Sequence, residues 1–197
     1  MDSKANSPAK KRLVIGMSGA SGAVLGIILL QILKENPQWE THLIISGGAE
    51  QIIAQETGYH LKEVTNLADK FYDIKNIGAG LASGTFKTEG MIIIPCSMKT
   101  VAGLAGGYSD NLLLRAADVT LKERRKLVIL PRETPLSVIH LRNMLTLAQS
   151  GVITLPPMVT YYHQPQSIED MNRHLAGKVL DLFGIEMPGF KRWGETL

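Results

Sequence analysis

Residues 13–26 read LVIGMSGASGAVLG, and this stretch limits the fold more than any other part of the chain. A short apolar run, Leu13-Val14-Ile15, breaks into Gly16-Met17-Ser18-Gly19-Ala20-Ser21-Gly22. A second apolar run, 24–33, is too long to be one more strand. The pattern predicts a buried parallel strand, a loop of small residues and a helix. Free N–H groups at such a helix start, helped by the helix dipole, can hold an anion, and small side chains let it come close. Ser18 and Ser21 add hydroxyls able to donate to a phosphate or a cofactor ring. The loop is not a Walker A motif, because no Gly-Lys-Ser/Thr follows. The spacing Gly16-x-x-Gly19-x-x-Gly22 also departs from G-x-G-x-x-G. Alone, the stretch serves either a phosphate-bearing ligand or a tight turn that uses glycine for backbone freedom.

The same alternation continues along the chain. A strand at 41–45 runs into Ser46-Gly47-Gly48, and a helix at 49–56 is closed by Gly58. A helix at 61–70 precedes a glycine-rich stretch, 71–88, read as a short strand plus a loop at 79–86. The buried strand 91–95 runs into Cys96-Ser97-Met98-Lys99-Thr100, then a helix at 101–106 and a longer one at 110–125 with Asp110 near its N-cap. A strand at 127–130 ends in Pro131-Arg132-Glu133-Thr134-Pro135. A helix at 136–149, a strand at 152–155 and a helix at 168–183 complete the pattern. Strands alternating with helices predict an α/β chain built on a doubly wound parallel sheet. Ligands of such sheets bind at the carboxyl ends of the strands. Four polar loops, at 18–22, 46–48, 97–100 and 132–133, fall on that rim and together read as a site.

With 197 residues, the chain suits a single domain over 11–197, preceded by a flexible polar tail at 1–10. Lys10-Lys11-Arg12 before an apolar stretch imitates a signal peptide. The glycine loop cuts that stretch, however, and the following helix ends polar at Lys34-Glu35-Asn36. No apolar run suits a membrane span. A net charge of +3, without aromatic–basic interleaving, does not argue for nucleic acid; it suits an anionic substrate. One cysteine, Cys96, excludes an intrachain disulfide and fits a reducing, cytoplasmic compartment; at a strand end it reads as packing rather than as a nucleophile. The five histidines have no metal-ligand spacing, and His140 sits in an amphipathic helix as a packed or surface residue. Arg132-Glu133, fenced by prolines, reads as a cation–carboxylate pair at a site or as a surface ion pair. Arg115 and Lys122 share a helix face, and Lys122-Glu123-Arg124-Arg125 also reads as an ordinary solvated helix end.

GMSGASGA at 16–23, IIIPCSMKT at 92–100, NLLLRAADVTLKERRKLVILPRETPLSVIHLRNML at 111–145 and YYHQPQS at 161–167 resemble the UbiX family of flavin prenyltransferases. The likeness is strongest to members associated with phenolic acid decarboxylases, and it runs from Arg12 to Trp193. It implies a Rossmann-like flavoprotein fold, a three-layer sandwich, and transfer of a dimethylallyl group from dimethylallyl phosphate to reduced FMN, without a metal. The prenylated flavin would serve UbiD-type decarboxylases, and the enzyme would be a homo-oligomer, typically a dodecamer, with sites at subunit interfaces. Carried over by motif, Gly19, Ala20, Ser21, Ser46, Ser97, Met98, Lys99, Thr100 and Arg132 would bind FMN. Glu56, Glu133 and Ser21 would be catalytic, and Arg115, Lys122, Tyr162 and Lys178 would bind the donor phosphate. Two positions depart from the family pattern. Gly47 stands where many relatives carry a larger residue, and Lys178 where an arginine is common. The alternative is a flavin-dependent aromatic acid decarboxylase or its flavin-carrying subunit. The P-x-M-N-x-x-M-W clamp of the related cysteine decarboxylases is absent, since Pro157-Met158 is followed by Val159-Thr160.

Overall fold

A computed structural model describes residues 9–194, so the tail expected at 1–10 falls largely outside the described residues. Six strands form one parallel sheet: β1 (Lys11–Met17), β2 (Trp39–Ile45), β3 (Lys70–Tyr72), β4 (Gly90–Cys96), β5 (Lys126–Pro131) and β6 (Ile153–Thr154). Their order is β3-β2-β1-β4-β5-β6. The chain winds outward from β1 to one edge, then returns to β4 and winds to the other. The topological switch therefore falls between β1 and β4, where Leu13 faces Gly90 and Gly16 faces Ile93.

Among the described residues seven α-helices cover the two faces: α1 (Ala23–Lys34), α2 (Gly47–Glu56), α3 (Leu61–Thr65), α4 (Met98–Ala105), α5 (Leu112–Lys122), α6 (Val138–Gln149) and α7 (Ile168–Asp181). Because side chains alternate across a strand, neighbours on one strand enter different cores. Ile15, Met17, Ile92 and Ile94 pack beneath α1 and α7. Val14, Met91, Ile93 and Cys96 pack beneath α4 and α5. Gly26 lets α1 lie directly on the sheet, since a Cβ there would stand 2.6 Å from the Ile94 carbonyl oxygen.

Four expectations need correction. The helix expected over 61–70 stops at Thr65, and Lys70 instead opens the edge strand β3, the short strand expected within 71–88, which pairs with β2 from His42↔Lys70 to Ile44↔Tyr72. Pairing with an exposed strand edge outweighs a weak local helical spacing. Asn111, not Asp110, caps α5, its side chain accepting from Leu114 N at 3.0 Å. Gly58 is not the cap of α2; Thr57 ends that helix in an extended conformation. In α6 only Leu147 is buried, while Val138, Ile139, Leu141 and Leu145 are exposed. The helix expected to be amphipathic thus turns much of its apolar side outward instead of into the core. Its N-terminus is closed by Ser137 and His140, each accepting from the other's backbone N–H, which accounts for His140.

Candidate active site

The site forms where β1 and β4 end side by side. Ser18, just past β1, is buried; its hydroxyl donates to the Pro95 carbonyl at 3.2 Å and accepts from Ser97 N at 2.8 Å. The Ser18 hydroxyl is therefore spent on tying two loops together, not on a ligand as the sequence suggested. Gly19 and Gly48 bring the loops after β1 and β2 into backbone contact: a Cβ on Gly19 would stand 3.0 Å from Gly48 Cα. Ser46 caps α2 by accepting from Ala49 N, and Ser97 caps α4 by accepting from Thr100 N.

These loops open onto a cavity of about 510 Å³. Gly19, Ser46, Ser97, Met98, Lys99, Thr100 and Glu133 line it, seven residues that the sequence had marked. Gly47 lines it too, and a Cβ there would meet only open space, so a larger residue at this position reduces the room. The N-terminal ends of α2 and α4 converge on the cavity and favour negative charge. Sequence reasoning missed Ile74, Asn111, Leu113 and Leu114, which supply its far wall. Ile74 comes from the loop after β3, and its carbonyl accepts from Leu112 N at 2.8 Å. Only the folded contact brings that loop over α5; no motif marks it.

The start of α1 is not an open anion site. Glu56, the last residue of α2, accepts from Gly22 N at 2.8 Å and so places a carboxylate of this chain there. Burial pushes the Glu56 carboxyl up, but the Ser21 hydroxyl, the N–H groups of Gly22 and Ala23 and the Arg132 charge outweigh it. The group is held below its usual range and stays ionised. Ser21, Glu56 and Arg132 thus make one cluster, and none of the three is among the residues that line the cavity. Arg132 is fastened through its backbone N–H to the Cys96 carbonyl at 3.1 Å. Ala20 is buried next to this cluster, outside the cavity wall. Glu133 is exposed, and its Oε1 accepts from Thr134 N at 3.0 Å. Cys96 is fully buried, and burial drives its thiol far above the usual range, consistent with packing rather than nucleophilic chemistry.

The four residues expected around a donor phosphate do not meet in one chain. Arg115 pairs with Asp118 at 2.7 Å and reaches the Ala82 carbonyl. Lys122 pairs with its neighbour Glu123 at the end of α5. Tyr162 and Lys178 do come together, lining a second cavity of about 510 Å³ between α7 and the C-terminal segment. No group of three or more metal-ligating side chains occurs among the described residues, and no helix there is long and apolar enough to cross a membrane.

A family model described as Flavoprotein matches residues 1–178. The chain is 51% identical over 185 residues to a probable UbiX-like flavin prenyltransferase of Sedimentibacter hydroxybenzoicus, covering 94% of this chain and 98% of that one. A dodecameric FMN-dependent UbiX-like decarboxylase from Escherichia coli O157:H7 superimposes with a TM-score of 0.91 at 51% identity, over 92% of this chain and 98% of that one. The structure of AnUbiX (PadA1) in complex with FMN and dimethylallyl pyrophosphate also gives 0.91, at 47% identity, over 93% and 97% of the two chains.

Proposed function

The chain belongs to the Flavoprotein family, among the UbiX-like flavin prenyltransferases, and on that ground we propose that it joins the dimethylallyl group of dimethylallyl phosphate to reduced FMN. The observation that carries this reading is the cavity at the switch point, with two helix N-termini, an apolar wall and the Glu133 carboxylate. Its chemistry fits a flavin mononucleotide. The helix N-termini at Ser46 and Ser97 suit the phosphate, and Ile74, Leu113 and Leu114 suit an aromatic ring system. Gly19, Ala20, Ser21, Met98, Lys99, Thr100 and Arg132 complete the FMN contacts in this reading.

When bound, reduced FMN supplies the electron-rich N5 and C6 centres that capture the prenyl unit. Cleavage of the allylic C–O bond places negative charge on the departing phosphate. Arg115, Lys122, Tyr162 and Lys178 stabilise that charge. Glu133 stands on the cavity wall to accept the proton lost as the new ring closes. Glu56, the ionised last residue of α2, accepts from the Ser21 hydroxyl and the Gly22 N–H and so fixes the Ser21 side chain for the reaction. No metal takes part. The donor-binding side chains lie in separate places on one chain and α6 carries an exposed apolar face, so subunits of a homododecamer complete the site between them. The lone buried Cys96 suits the cytoplasm, and the product serves UbiD-type decarboxylases.

The direct test is the mass of the flavin released after anaerobic incubation with reduced FMN and dimethylallyl phosphate. A gain of one dimethylallyl unit is expected. Unaltered flavin, with carbon dioxide released from an added aromatic acid, would replace this reading by the decarboxylase one.

A further inference from the structure

The second cavity holds a histidine that the reading above does not use. His174 lies on the inner face of α7 and is 7% exposed. Its Nε2 stands 2.9 Å from the Tyr162 hydroxyl. Its ring stacks on His163, with centroids 3.9 Å apart and planes 4° from parallel, and Phe190 packs at 5.0 Å. A phenylalanine would fill that slot equally well, so packing alone does not account for an imidazole whose polar edge meets Tyr162.

The hydroxyl of Tyr162 has one proton and can point it only one way. If His174 Nε2 accepts that proton, the phenol turns lone pairs toward the cavity and repels an anion. If Nε2 carries the hydrogen and donates, the Tyr162 proton is free to donate outward. We propose that His174 is the positioning residue for Tyr162: its Nε2–H donates to the phenolic oxygen and turns the Tyr162 proton toward the donor phosphate. The inference rests on the reading that Tyr162 binds that phosphate. Burial, then the neighbouring His163 and Lys178, hold the His174 pKa below its ordinary value. The imidazole is therefore neutral at neutral pH, where its single ring hydrogen can sit on either nitrogen. The charge on the cavity wall comes instead from Lys178 and from an Arg192–Asp181 ion pair at 2.7 Å.

The test is a set of steady-state titrations with dimethylallyl phosphate at saturating reduced FMN. Tyr162→Phe is expected to raise the donor KM about tenfold, the scale of one hydrogen bond to a charged group. His174→Phe, which keeps the ring packing, should raise it by about the same factor, with kcat and FMN affinity within about twofold of the parent. Combining the two should add no more than about twofold, because both remove the same contact. His174→Gln keeps an N–H donor and should stay within about threefold of the parent. His174→Leu repeats the apolar arm if the phenylalanine variant does not fold. The inference falls if Tyr162→Phe raises KM but neither apolar variant at 174 does, if the single effects multiply in the double variant, or if glutamine is as damaging as phenylalanine. An unchanged KM in Tyr162→Phe would instead remove the phosphate from Tyr162, and the inference with it.

Discussion

Replacing Glu56 by glutamine separates charge from shape at the junction of α1 and α2. The amide oxygen can still accept from Gly22 N, now at 2.8 Å from the carboxylate, so no backbone donor is orphaned. What disappears is the negative charge at the start of α1, worth roughly 0.5–1 kcal/mol for an exposed group at a helix N-terminus. For a chain of 197 residues that is a fall in melting temperature of roughly 2 °C. The pH dependence follows from linkage. The folded carboxyl lies below its ordinary value of 4.5, so its stabilisation is present above the unfolded pKa and is lost as pH falls through the folded one. Thermal melts of parent and variant should therefore differ at pH 7 and converge in acid. In the flavin-mass assay, turnover should drop by about 10²-fold if the ionised carboxylate orients Ser21, while FMN affinity holds. A melting difference that persists unchanged below pH 4, or unaltered turnover, would refute the assignment of Glu56 as a fixed anion serving Ser21.

Glu133→Gln should retain FMN and fold normally but lose about 10²-fold in turnover; unchanged turnover would make its place on the cavity wall incidental. Lys178→Ala should raise the donor KM by removing a charge-assisted contact of about 1.5–3 kcal/mol, whereas Lys178→Arg should bind the donor as tightly as the parent or more so. FMN titration should distinguish neither variant from the parent. Gly26→Ala should destabilise the protein in chemical denaturation. Helix propensity gains about 1 kcal/mol, but a Cβ placed 2.6 Å from the Ile94 carbonyl oxygen forces α1 off β4, and overpacking of this kind costs roughly 1–3 kcal/mol. A more stable variant would show that α1 can shift freely.

Much of the architecture was legible because local signals and burial agreed. The runs at 13–15, 41–45, 91–95 and 127–130 are short and mainly apolar, with Thr41 and His42 the polar exceptions, as suits strands covered on both faces, and all four lie within observed strands. Three of the four rim segments were legible for the same reason, small or hydroxyl residues directly following a buried strand, although 47–48 and 98–100, expected as loop, form the first turns of α2 and α4. The short strand expected within 71–88 is β3, but its start at Lys70 was not legible, because its three exposed or half-buried residues carry no burial pattern and acquire their conformation from pairing with β2. The cap of α5 was misplaced by one residue, since Asp110 and Asn111 are equally good caps and the backbone conformation chooses between them.

The sequence by itself determined the sheet class, the rim on which a ligand binds and most of the residues that line the cavity. Those depend on hydrophobic period and on which residue types stand at strand ends, and both are local. Only the tertiary structure decided which polar groups remain free. It spent Ser18 on a bridge to Pro95 and Ser97, and it brought Glu56 onto Gly22 across 34 residues of sequence. It also set His174 against Tyr162. A hydrogen bond forms over about 3 Å of space, whatever the separation along the chain, so its partners are settled only when distant elements pack.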